Sequence, residues 1–162
     1  MYRADKLNSL NKQEYYQELN SLLTGLMDPQ AGLIANLANA CALLGDQMED
    51  INWAGFYLLN EGQLILGPFQ GKPACTLIPL GKGVCGTAAQ ARQIQVVPDV
   101  HLFPGHIACD SASRSEIVLP LVKEGKLIGV LDIDSPSLAR FDGDDAQGLS
   151  RFVEILLENI PV

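Results

Sequence analysis

The sequence predicts an α+β fold: a six-stranded, largely antiparallel sheet with two N-terminal helices and a C-terminal helix packed on it. Three observations lead there. Apolar residues recur at helical spacing in the first quarter of the chain and again near its end, whereas the stretch between them is made of short apolar runs broken by Gly, Pro and Asn. The turns between neighbouring runs are short enough to join antiparallel strands. At 162 residues, with 48% hydrophobic and 19% charged residues, the chain has the size and composition of one globular domain, residues 1–162, that buries its own core.

In chain order, residues 12–25 and 29–45 read as helices because Leu19, Leu22, Leu23 and Leu26, then Leu33, Leu37, Cys41 and Leu44, follow the helical repeat. Together they form an amphipathic cover for the sheet. Met27-Asp28-Pro29 separates them, with Pro29 suited to a first helical position. Strands are expected at 51–59, 63–69, 74–80, 95–99, 116–122 and 126–134. The turns Asn60-Glu61-Gly62 and Lys123-Glu124-Gly125 make hairpins of the first two strands and of the last two. Residues 81–92 read as a glycine-rich turn entering a short helix. Residues 142–159 close the fold as a helix carrying Leu149, Phe152, Val153 and Leu156 on one stripe, with Asp142, Asp144 and Asp145 favouring its start. A long loop, residues 98–113, is left uncovered.

Charge and composition exclude several classes. The net charge of −8 comes from 19 acidic and 11 basic residues, and no segment concentrates Lys and Arg, so no nucleic-acid partner is expected. No apolar run reaches the roughly 18 to 20 residues that span a bilayer, and the N-terminus is polar, so no membrane association and a cytoplasmic location are expected. Four cysteines are too few for a disulfide scaffold. In a reducing compartment they stay thiols unless catalysis oxidises them.

Cys41 lies on an apolar helix stripe and reads as a small core hydrophobe. Cys75 opens a strand, Cys85 sits where the glycine-rich turn enters its helix, and Cys109 lies in the long loop near Asp110 and Arg114. All three are positions where a thiol can meet solvent, and a helix N-terminus or a nearby cation raises the thiolate fraction. Cys85, His101, His106 and Cys109 include zinc-type donors, but there is no C-x2-C pair and the separations follow no structural-zinc pattern, so neither a metal nor a cofactor is expected. His101 and His106 read as solvated or hydrogen-bonded loop residues and are left out of the candidate site.

On the last strand, alternation sends Ile128, Val130, Asp132 and Asp134 to one face and Leu127, Leu131 and Ile133 to the other. Hairpin pairing brings Glu116 beside the Asp132 to Asp134 end, so three carboxylates converge. Such a cluster accepts hydrogen bonds from an ammonium group, and crowding lets one carboxyl keep its proton near neutral pH. Trp53 and Tyr57 share a face of the first strand, where they pack as core or wall a pocket for a small sulfur-bearing tail.

The segments NWAGFYLL, LGPFQGKPACTLIPLGKGVCGTAA, VPDVHLFPGHIACDSASRSEIVLPL and GVLDIDSP resemble the free methionine-R-sulfoxide reductases, a family of single GAF domains in bacteria and fungi. The resemblance runs over nearly the whole chain. It implies a GAF-like fold and reduction of free L-methionine (R)-S-oxide through a cysteine sulfenic acid and an intramolecular disulfide, recycled by thioredoxin or a similar dithiol. Position by position, it implies redox cysteines at Cys75, Cys85 and Cys109, with Cys109 the nucleophile and Cys75 the first resolving thiol. It implies pocket residues at Trp53, Tyr57, Glu116, Asp132 and Asp134. The residues alone do not decide between Cys75 and Cys85 as resolving thiol, nor which carboxyl is the acid. Donors for the substrate carboxylate are sought in the 81–86 turn or near Ile107 to Cys109. A homodimer is expected. The alternative from another class is a GAF domain that only senses a small ligand.

Overall fold

A computed structural model describes residues 1–7, 11–107 and 109–161. Its elements are α1 (Lys12–Leu26), α2 (Gly32–Gln47), β1 (Trp53–Asn60), β2 (Gln63–Gly71), β3 (Leu77–Pro79), α3 (Gly83–Ala91), β4 (Gln95–Val97), β5 (Ser115–Lys123), β6 (Lys126–Ser135) and α4 (Gly143–Asn159). The six strands form one sheet in the order β3-β2-β1-β6-β5-β4, with every neighbouring pair antiparallel. Both expected hairpins form. Each closes on two residues with positive φ, Glu61-Gly62 (49° and 77°) and Glu124-Gly125 (53° and 75°), the backbone that matches strand twist.

Pro29 does not begin a helix. Asp28 accepts from the Gln30 N–H, and the Asn36 amide brackets Asp28 by accepting from its N–H (2.9 Å) and donating to its carbonyl (2.7 Å). These bonds hold Pro29 in a turn and delay α2 to Gly32. The third strand is also shorter than expected, with Cys75 in the irregular segment ahead of it.

The sheet carries a core on each face. Leu19, Leu23, Leu37, Leu44, Leu149, Phe152 and Leu156 from α1, α2 and α4 pack on Phe56, Ile117, Leu119, Leu131 and Ile133. Cys41 lies in this core, 1% exposed, and burial pushes its thiol up to about 11. On the other face, Trp53, Tyr57, Val118 and Val130 meet Val84, Cys85 and Ala88 of α3. The alternation expected along β6 fails at its start. Leu121 pairs with Gly129 but Val122 pairs with Leu127, so Ile128 is an extra residue, and this bulge sends Ile128 to the helical core and Leu127 to the α3 side.

Helix α1 lies less on the sheet than on α4. Asp142 caps α4 in a capping box with Asp145, and Asp145, 1% exposed, also accepts from Lys12 Nζ (2.6 Å) and Tyr16 Oη (2.7 Å). One buried carboxylate thus ties the two helices together. At this crossing Gly148 approaches the Tyr16 ring so closely that a Cβ would overlap it. Gly148→Ala should therefore lower stability by about 1–3 kcal/mol, read as a lower urea midpoint with an unchanged slope.

The 98–113 loop is not left uncovered. Val100 is fully buried and donates its N–H to the Arg114 carbonyl (2.8 Å), while Phe103 and Ile107 pack on the α3-side core. Apolar residues spaced along the loop fold it back over the sheet.

Candidate active site

Antiparallel register assembles the site. Glu116 of β5 lies opposite Asp134 of β6, and Val118 opposite Asp132. On the other side of β6, Trp53 of β1 lies opposite Asp134 and Gly55 opposite Asp132. The period of two then aims Trp53, Tyr57, Glu116, Asp132 and Asp134 at one face, where α3 and the 98–113 loop enclose a cavity of ≈ 40 Å³. All five pocket residues expected from the sequence line it, as do Cys85, Cys109 and His106.

Glu116 and Asp132 are each only 6% exposed. Burial, followed by the charges of Asp132 and Asp134, pushes the Glu116 carboxyl well above the ordinary range; burial and Asp132 do the same to Asp134. Asp132 is raised by burial, but hydrogen bonds from Glu116, Cys85 and Asp134 oppose the rise. All three carboxyls are thus held above the ordinary range, so the cluster favours keeping protons among them. Asp132 Oδ1 and Asp134 Oδ1 are buried without a hydrogen-bond partner, and among the described residues no Lys or Arg pairs with either. Such orphaned acceptors are costly unless a ligand donates to them.

The aromatic wall is fixed by backbone contacts. Tyr57 Oη donates to the Cys75 carbonyl (3.0 Å) and Trp53 Nε1 to the Lys72 carbonyl (3.1 Å). The Trp53 ring stacks between Tyr57 and Phe69, at centroid distances of 5.9 and 5.2 Å. Its seat depends on Gly71, whose φ of 142° and missing Cβ leave the space the indole fills.

Cys75 and Cys109, 34 residues apart with Cα atoms 5.7 Å apart, are joined by a disulfide; Cys41 and Cys85 are free. Cys85 is not the solvent-facing thiol expected. It occupies the first turn of α3, 5% exposed, with Sγ 3.9 Å from Glu116 Oε1. Burial and the charges of Asp132 and Glu116 push its thiol well above the ordinary value, overriding the helix N-terminus that would lower it.

His106, set aside at the sequence level, belongs to the cavity, with Nε2 3.9 Å from Glu116 Oε2. Burial and His101 lower its pKa, which keeps the ring neutral near pH 7. The one sequence signal was its place three residues before Cys109. Asn52 was missed as well: its Nδ2 donates to Asp110 Oδ2 and to Ser113 Oγ, both at 3.0 Å, and so anchors the stretch that carries Cys109. Of the expected loop donors, the Cys109 N–H is taken by the Ile107 carbonyl (3.1 Å), and Ala108 lies outside the described residues. The first bond of α3 runs from the Gly86 N–H to Lys82, which leaves the N–H groups of Gly83, Val84 and Cys85 without helical partners beside the cavity.

A curled antiparallel sheet with helices on one face and a thiol-and-carboxylate pocket on the other defines a GAF-type domain built for redox chemistry, and the comparisons agree. The GAF domain family matches residues 28–157. The chain is 56% identical over 144 residues to the free methionine-R-sulfoxide reductase of Escherichia coli (89% of this chain, 87% of that one). It is 45% identical over 166 residues to that of Saccharomyces cerevisiae (96% and 92%). Among solved structures, fRMsr of Staphylococcus aureus in complex with substrate superposes with a TM-score of 0.87 at 50% identity, covering 97% of this chain and 100% of that one. The Neisseria meningitidis free methionine-R-sulfoxide reductase with its substrate gives 0.90 at 43% identity, covering 96% and 94%. The chain belongs to the GAF domain family and, within it, to the free methionine-R-sulfoxide reductases.

Proposed function

We propose that this protein reduces free L-methionine (R)-S-oxide to L-methionine, with Cys109 as nucleophile and Cys75 as resolving thiol. The observation that carries this reading is the joining of Cys75 to Cys109 at a cavity floored by three carboxyl groups, of which Glu116 and Asp132 are buried and Asp132 and Asp134 have orphaned oxygens. The carboxyl cluster accepts the substrate ammonium, Trp53 and Tyr57 hold the sulfur-bearing tail, and the free N–H groups opening α3 receive the substrate carboxylate. The Cys109 thiolate attacks the sulfoxide sulfur while a protonated carboxyl delivers its proton to the oxygen. Methionine leaves, and Cys109 becomes a sulfenic acid. The Cys75 thiol displaces water from it to form the disulfide, and thioredoxin or a similar dithiol restores both thiols while itself becoming a disulfide.

The same pocket explains a preference for the free amino acid. A peptide nitrogen would leave the buried carboxylates without their cation. A cytoplasmic setting fits a chain that keeps two thiols free while carrying a reducible pair, and among the described residues no helix is long and apolar enough to cross a membrane. Incubating the reduced protein with a dithiol and each diastereomer of free L-methionine sulfoxide tests the assignment: methionine is expected from the R isomer alone. Turnover of only the S isomer would contradict it, and binding without turnover of either would favour a ligand sensor.

A further inference from the structure

Cys85 is the one thiol of the cavity outside the disulfide. Its Sγ and one carboxylate oxygen each from Glu116 and Asp132 lie within 4.8 Å of one another, and all three residues are buried. Around a tetrahedral zinc with Zn–S of about 2.3 Å and Zn–O of about 2.0 Å, neighbouring sulfur and oxygen ligands sit about 3.5 Å apart. The Cys85 to Glu116 separation of 3.9 Å needs only a few tenths of an ångström of closure. Asp132 Oδ1, on a side chain 6% exposed, has no hydrogen-bond partner, so an acceptor already stands ready for a cation. His106 faces the second oxygen of Glu116 at 3.9 Å, placed to orient a ligating carboxylate from behind.

We propose that Cys85, Glu116 and Asp132 bind a single zinc ion that competes with the amino-acid ligand for the carboxylates. Three protein ligands leave the fourth position facing the cavity. The sulfur donor selects zinc or cobalt over magnesium and calcium, which prefer all-oxygen shells. Zinc is an antagonist here and takes no part in turnover. Competition rests on the function proposed above, whereas metal binding does not, and the experiment separates the two.

The protein is oxidised with diamide to its Cys75–Cys109 disulfide, verified by mass spectrometry, so that neither redox thiol can ligate, and is titrated with zinc by calorimetry and with cobalt by absorption. One zinc per chain and a thiolate-to-cobalt charge-transfer band are expected. The band should survive Cys41→Ser, disappear in Cys85→Ser, and weaken at least tenfold in apparent affinity in Asp132→Asn, which needs no change at the cysteine. Free methionine sulfoxide should displace the metal. Absence of binding to the disulfide form, or a band that survives Cys85→Ser, would overturn the site. A band that forms as expected but resists methionine sulfoxide would overturn the competition alone.

Discussion

Cys109→Ser is expected to lower turnover by at least about 10³-fold, because a serine hydroxyl is scarcely ionised near neutral pH and the step needs a nucleophile that can also accept oxygen. The companion variant separates the two sulfurs. Cys75→Ser should still release one methionine per enzyme in a rapid burst and then stall, with Cys109 trapped as a sulfenic acid by a dimedone-type reagent. Rapid-quench counting of methionine reads both outcomes. A burst in Cys109→Ser, or continuous thioredoxin-supported turnover in Cys75→Ser, would reassign the roles. Cys85 lines the same cavity from the first turn of α3 but is buried and, unlike Cys75, not joined to Cys109.

The second large effect is expected at Glu116, if it is the carboxyl that delivers the proton. Glu116→Gln keeps the shape and hydrogen-bonding capacity of a protonated glutamate but has no proton to transfer, so kcat should fall by about 10²- to 10⁴-fold with a smaller change in KM. The same variant has a signature in stability. A carboxyl whose folded pKa is raised contributes stability that is fully present below its unfolded pKa and is lost as pH rises through the folded value. Glu116 and Asp134 are both raised by burial and by their neighbours, so the ligand-free protein should lose stability as pH climbs from the ordinary carboxyl range toward alkaline values. Glu116→Gln removes part of that loss. Its melting temperature should exceed the parent's by about 2 °C or more on the alkaline side, with little difference near pH 4. A variant that is slower but sturdier at high pH would mark this carboxyl as held for function.

Much of this was legible in the residues because strands have a period of two. That period was enough to put Trp53 with Tyr57 and Asp132 with Asp134, but a two-residue turn alone would set Glu116 opposite Ile133, and it is the bulge at Ile128 that shifts the register by one and brings Glu116 to Asp134. What escaped was whatever depends on packing between distant segments. The exposure of Cys85 depends on which side of a nine-residue helix meets the sheet, and its small residues, Gly83, Gly86, Ala88 and Ala89, give almost no pattern to read. His106 reached the pocket only because Val100, Phe103 and Ile107 fold their loop inward, and isolated apolar residues in a polar loop look unremarkable in sequence. Pro29 was misplaced because Asn36, several residues further on, reaches back to hold the turn. The bulge at Ile128 broke an alternation that nothing local announced.

The covalent link between residues 75 and 109 closes a ring of chain that contains β3, α3 and β4. Constraining a loop of that length removes denatured-state freedom worth about 3–4 kcal/mol in the chain-entropy picture. Each catalytic cycle would then alternate between a looser dithiol protein and a tighter oxidised one, so the electron donor that resets the enzyme also returns it to its more pliable form. Substrate would enter the softer molecule, and product would leave before the clasp shuts.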